Sequence, residues 1–300
     1  MAIKTVRAQV NGTWHTLTLN SSTGKYEASI TAPGKTSYNQ SGGYYNVKVE
    51  ATNTAGTTAS ADASTVSGLK LYVKERVAPV ITIVSPSSGA YVSNNKQPVV
   101  FTITDEAEGS GVDLTSLVVK LDGTAVAAAT LTNTAITNGY SVTYTPASAL
   151  SDGSHTVTVD CKDHDGNSAN QKSTTYTVDT VPPTLNITAP TDNLITNNSS
   201  LTVAGTTNDA TSSPVTIKVK LNGVDQGAVT VGTGGAFTKA VTLTEGSNTI
   251  VVTATDAAGK VSTVTRTVTL DTSVPVIKSA TITPNPVDAG KTMVISVTIE

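Results

Sequence analysis

The chain has 300 residues and a mass of 30.5 kDa; only 14% of it is charged, and 19 Lys+Arg against 22 Asp+Glu leave a net charge of -3. That balance lacks the basic footprint required by nucleic acid or an anionic membrane surface. With 55 Thr and 38 Val, interrupted by 12 Pro and 23 Gly, the composition favours strands and excludes a helical bundle, a coiled coil and a Rossmann-type enzyme, and the length suits two or three domains.

Met1 to Val10 contains no apolar run of signal-peptide length, and no stretch approaches the roughly 18 apolar residues of a membrane helix. The first predicted element is a hairpin closed by Asn11-Gly12, a dipeptide that accepts the positive φ of a type I′ turn. A two-residue turn there pairs Val6 with Leu17 and Gln9 with Trp14. Val6, Val10, Leu17 and Leu19 then share the core face, and Trp14, the only tryptophan, points outward beside Arg7. Trp14 with Tyr38, Tyr44 and Tyr45 is a candidate ligand-binding surface, a sugar-stacking platform or docking patch; the simpler reading is a Trp shielded by a neighbouring loop or domain. Tyr26 follows a glycine turn as the large residue closing a small core. Gly43–Gly56 then alternates Val47, Val49 and Ala51 inward, as a strand with one buried face does.

A second segment opens at Ala78-Pro79, turns at Val92-Ser-Asn-Asn95 and runs on into Val99-Val-Phe-Thr-Ile103. Asp105, Glu106 and Glu108 follow, and with Asp113, Asp163 and Asp165 they concentrate carboxylates in loops that can share one end of a sandwich. Calcium takes six to eight oxygen ligands, so Asp105, Glu106, Glu108, Asp163 and Asp165 are the candidate metal ligands; the simpler reading is Asp and Asn serving turn geometry. Val119–Gly123 ends in a second hairpin dipeptide, and Tyr140 repeats the aromatic slot of Tyr26. Gly153–Gly166 superimposes on Gly43–Gly56 without a gap, with Val157, Val159 and Cys161 inward. Cys161 therefore reads as a small core hydrophobe rather than a reactive thiol. A lone cysteine excludes an intramolecular disulfide framework, and three histidines with one thiol cannot build a zinc site of the usual kind. Asp152-Gly-Ser-His155 mimics a triad only as a string, because the aligned Glu245-Gly-Ser-Asn248 marks it as a turn.

The third segment repeats the pattern: Pro182-Pro183, the Asn197-Asn198 turn, Val219–Gly223, Phe237 in the aromatic slot, and Gly246–Gly259 with Ile250, Val252 and Ala254 inward. Val274–Glu300 supplies one more opening strand pair around an Asn285–Gly290 turn. Each full segment holds about seven short strands, the pattern of a β-sandwich. The expected organisation is a shortened sandwich at 1–77, full sandwiches at 78–181 and 182–272, and the first strand pair of a further, truncated one at 273–300.

The linkers Val178-Asp-Thr-Val-Pro-Pro183 and Leu270-Asp-Thr-Ser-Val-Pro275, with Asp-x-x-Gly at Asp163–Gly166 and Asp256–Gly259, resemble bacterial Ig-like (Big-type) tandem repeats. The resemblance implies an all-β chain of tandem immunoglobulin-like sandwiches in an elongated array, of the kind found in surface adhesins and in phage tail and virion proteins. It lacks the cysteine pair and core tryptophan of antibody domains. The implied function is a non-enzymatic structural or adhesive spacer, with a carbohydrate-binding module as the alternative. The implied partners are other virion or surface-structure proteins or, in the alternative, glycans, with no nucleic acid and no membrane insertion. The implied location is a virion or the cell surface, reached without a recognisable signal peptide; calcium is the one cofactor the residues suggest.

Overall fold

Three dipeptides set strand register along the chain. Asn11-Gly12, Asp122-Gly123 and Asn222-Gly223 all adopt positive φ at both positions (46° and 81°, 48° and 81°, 50° and 84°), the signature of a type I′ turn whose twist matches that of the paired strands. At the first of them, Val6 faces Leu17 and Gln9 faces Trp14, as the two-residue turn requires.

The computed structural model describes residues 2–300 and comprises two units, Met1–Asp179 and Thr180–Glu300. In the first unit the N-terminal segment forms an antiparallel five-stranded sheet. Its strands are Ile3–Val10, Thr13–Asn20, Lys25–Glu27, Lys48–Asn53 and Thr58–Ala61, with Ile3–Val10 at the centre. Val6, Ala8 and Val10 are buried, but Leu19 is 57% exposed, a correction to the expected core face. The other sheet of this segment is a two-residue pair, Tyr45–Asn46 with Lys70–Leu71, too short to cover five strands. Val47, Val49 and Ala51 are half-buried for the same reason.

The rest of the first unit contains two sheets. One orders Leu131–Ile136, Gly139–Tyr144, Val99–Thr104 and Val80–Ser85; the other orders Thr124–Ala125, Val112–Leu121, Gly153–Asp163, Lys172–Val178 and Tyr91–Val92. Alternation along Val99–Thr104 and Gly153–Asp163 sends Val99, Phe101 and Ile103 from one sheet, and Val157, Val159 and Cys161 from the other, into one buried cluster with Tyr176 and Val178. The second unit repeats the plan, with Thr184–Ala189, Ser200–Asn208 and Ala236–Thr242 in one sheet and a five-stranded sheet centred on Gly246–Thr255 in the other. Its core gathers Val203, Val219, Phe237, Ile250, Val252, Ala254 and Val268. Ile277–Thr283 and Val294–Ile299 form an antiparallel pair, and every residue of both strands is exposed.

Candidate functional site

Asp105 follows directly on the strand Val99–Thr104, and the loop after it is tight. The Gly109 N–H donates to the Glu106 carbonyl at 3.1 Å. A Cβ on Gly109 would lie 2.7 Å from Asp105 Oδ2 and 2.9 Å from Glu106 Cδ, so a side chain at this position would have to displace the two carboxylates. The Gly111 N–H donates to Asp105 Oδ2 at 2.7 Å. Glu75 enters from the segment after the Lys70–Leu71 strand. Its own N–H donates to Asp165 Oδ2 at 3.0 Å, its carbonyl accepts from Asn167 Nδ2 at 3.3 Å, and its Oε1 accepts the Ser110 N–H.

Those bonds use one oxygen of Glu75 and one of Asp105. Glu75 Oε2, Asp105 Oδ1 and Glu106 Oε2 are all buried with no hydrogen-bond partner. One carboxylate oxygen from each of the three residues lies within 4.8 Å of the others. Like charges at that separation repel by about 3.5 kcal/mol or more per pair at an effective dielectric of about 20. Ion pairs form at Arg7–Glu50, Lys35–Glu108, Lys48–Glu50, His155–Asp122, Lys218–Asp225 and Lys278–Glu300, and none of these includes a member of the triplet.

The other acids expected to join these two have separate tasks. Glu108 pairs with Lys35. Asp163 is buried and accepts from the Asn167 N–H at 2.8 Å and from Asn167 Nδ2 at 2.7 Å. Asp165 Oδ2 accepts from the Thr36 hydroxyl at 2.6 Å as well as from the Glu75 N–H. The structure thus places Asp105 and Glu106 together and adds Glu75. A signal for Glu75 was present in the linkers: Glu75, Asp179 and Asp271 each stand four residues ahead of a proline, at Pro79, Pro183 and Pro275.

The aromatic candidates have separate surroundings. Trp14 is half-buried, with the Arg7 guanidinium 4.2 Å from its ring centroid and Lys48 Nζ at 5.7 Å. Tyr38 stacks on His164 with centroids 4.4 Å apart. Tyr44 meets Tyr72 edge-on at 6.2 Å and lies under Lys70. Tyr45 is buried and donates its hydroxyl to the Lys35 carbonyl at 3.2 Å. Tyr38 and His164 help line a cleft of ≈ 400 Å³ that Asp105, Glu106 and Glu108 also line.

His155 lies in a structural knot. Nδ1 meets Asp122 Oδ2 at 2.8 Å and Nε2 meets the Ser151 carbonyl at 2.8 Å. Burial disfavours the charged ring, but the Ser151 carbonyl and the Asp122 carboxylate outweigh it and raise the His155 pKa. Cys161 is buried and free, and burial raises its thiol pKa, so it fills space rather than presenting a thiolate.

Paired sheets, antiparallel except for one short parallel edge strand in each five-stranded sheet of the two full sandwiches, with alternating inward residues define the module as an immunoglobulin-like β-sandwich, and the protein as one built from such modules in tandem. Residues 85–180 match the family model of the bacterial Ig-like domain, and residues 183–272 match that of domain B of glucodextranase. The second sandwich is thus similar to bacterial Ig-like domains. No curated protein matches the chain at a significant level. Among solved structures, the fibronectin(III)-like modules of Clostridium thermocellum CbhA align at 17% identity over 64% of this chain and 94% of theirs, with a TM-score of 0.41. Titin domains A168–A170 align at 14% identity over 88% of this chain and 85% of theirs, with a TM-score of 0.42. A 1.5-MDa bacterial ice-binding adhesin aligns at 20% identity over 89% and 86%, with a TM-score of 0.33.

Proposed function

We propose that the chain is a non-enzymatic structural and adhesive spacer, a run of Ig-like sandwiches displayed on a bacterial surface or a virion. The observation that carries this reading is the use made of the side chains that could do chemistry. His155 is tied to Asp122 and Ser151, Cys161 is buried in the core, and Asp163 and Asp165 tie loops together. Among the described residues no helix is long and apolar enough to cross a membrane. Immunogold labelling of intact cells and of purified particles from the source tests the setting. Label on an outer surface supports the reading, and label confined to the interior of sectioned cells contradicts it. A glycan array separates the spacer from a carbohydrate-binding module: reproducible binding lost in Trp14→Ala would favour the module.

A further inference from the structure

We propose that Glu75, Asp105 and Glu106 form a calcium site that fastens the end of the N-terminal segment to the second sandwich. One carboxylate oxygen from each residue lies within 4.8 Å of the others. Asp105 is 7% exposed, and its Oδ1, like Glu75 Oε2 and Glu106 Oε2, is buried without a hydrogen-bond partner. Three negative groups turned toward one another, each with an oxygen cut off from water, are an arrangement that a cation resolves. Two nearby lysines are engaged elsewhere: Lys35 pairs with Glu108, and Lys74 Nζ donates to the Asp165 carbonyl at 3.2 Å.

The donor set selects the ion. Three carboxylates with no imidazole or thiolate among them suit a hard cation rather than zinc. Several protein carboxylates in a loop match calcium, which accepts irregular oxygen shells, better than magnesium, which keeps its waters and takes one or two carboxylates. The loop is shaped before any ion arrives, because Gly111 and Ser110 N–H groups hold the second oxygens of Asp105 and Glu75, and Gly109 leaves room for both loop carboxylates.

Position gives the site its consequence. Glu75 belongs to the segment leaving the N-terminal sheet, whereas Asp105 and Glu106 belong to a loop of the second sandwich. The same junction carries the Asn39 Nδ2 bond to the Gly109 carbonyl at 2.6 Å, the Thr36–Asp165 bond and the Tyr38–His164 stack. An ion bound here crosslinks residues about 30 positions apart and rigidifies the exit from the N-terminal segment.

The full 300-residue chain, stripped with EDTA and dialysed, is titrated calorimetrically with calcium chloride and, separately, magnesium chloride. The parent is expected to bind one more calcium ion than Glu106→Gln. Equal numbers, or no calcium bound by the parent, overturn the proposal, and magnesium bound as tightly as calcium overturns the choice of ion. Melting supplies a readout that a merely misfolded variant does not reproduce. Glu106→Gln removes one of three like charges, so it melts above the parent in EDTA and below it in calcium; a fall in both media overturns the assignment. Endoproteinase Lys-C then reads the junction itself. Calcium slows cleavage after the exposed Lys74 at least tenfold in the parent and not in Glu106→Gln, and equal slowing in both overturns the role as a fastener.

Discussion

Replacing the pair Asp122 and His155 by two asparagines should remove a pH dependence without removing the fold, because the second unit already builds the same knot that way. There Asn222 Nδ2 donates to Asn248 Oδ1 at 3.1 Å, Asn248 Nδ2 donates to the Thr244 carbonyl at 2.7 Å, and the Thr249 N–H donates to Asn222 Oδ1 at 2.8 Å. In the first unit the Thr156 N–H donates to Asp122 Oδ1 at 2.8 Å, and both nitrogens of His155 face acceptors. Two acceptors require two ring protons, so the bound form is the imidazolium. The His155 pKa is raised, so its contribution is complete below about 6.5 and is lost as pH rises through the folded value. At Asp122, burial opposes ionisation, but the Thr156 N–H and His155 outweigh it and lower the pKa. Its contribution is therefore present above 3.8 and lost as pH falls through the folded value. The pair is worth most between those limits. Hydrogen bonds to charged groups contribute about 1.5–3 kcal/mol when shielded. The Asp122 side chain is 47% exposed, and solvent screening reduces the expected difference between pH 5.5 and pH 8.5 to about 1 kcal/mol. That corresponds to a fall in Tm of roughly 4–8 °C for a domain of up to about 100 residues. Scanning calorimetry of the parent and of Asp122→Asn/His155→Asn at the two pH values measures it. A parent transition that shifts no more than that of the double variant would refute the reasoning.

Tyr176 is fully buried, its hydroxyl has no partner, and its phenol pKa is pushed up to about 12, chiefly by burial. Tyr176→Phe should therefore stabilise the second sandwich by about 1 kcal/mol or more, seen as a higher urea midpoint; a lower midpoint would contradict the assignment of an unsatisfied hydroxyl. Phe101 is fully buried at the centre of the same core, so Phe101→Ala should lower stability by about 3–5 kcal/mol, measured by urea unfolding. Gly235 has φ +78° and a Cβ there would lie 1.7 Å from the Thr207 carbonyl oxygen. Gly235→Ala should destabilise the second unit by about 3 kcal/mol or more, and an unchanged unfolding midpoint would refute that.

The repeats made most of the fold legible. Period-two alternation between glycines placed Val157, Val159 and Cys161, and likewise Ile250, Val252 and Ala254, on buried faces, and they are buried. Asn-Gly and Asp-Gly dipeptides carried strand register because their backbone preference is local. Leu19 was misread because its burial depends on a covering sheet, and the opposing layer of the N-terminal segment has only two short strands. The candidate ion site was half legible. Asp105 and Glu106 are adjacent acids after a strand; the repeated spacing of Glu75, Asp179 and Asp271 ahead of a proline marks Glu75 as recurrent, but its meeting with Asp105 and Glu106 is set by the chain path between two sheets, which that spacing does not encode. Asp163 and Asp165 looked equivalent to them in sequence and differ only in which neighbours, Asn167 and Thr36, reach their oxygens first.

Hydrogen exchange of the full chain in calcium and in EDTA tests the junction most directly. The amides of Glu75, Ser110 and Gly111 donate to carboxylates at or beside the triplet, and their protection depends on how firmly those carboxylates are held. The expected result is slower exchange in calcium across residues 72–80 and 105–112, lost in Glu106→Gln. Identical exchange of these two segments in calcium and in EDTA would contradict a calcium-fastened spacer.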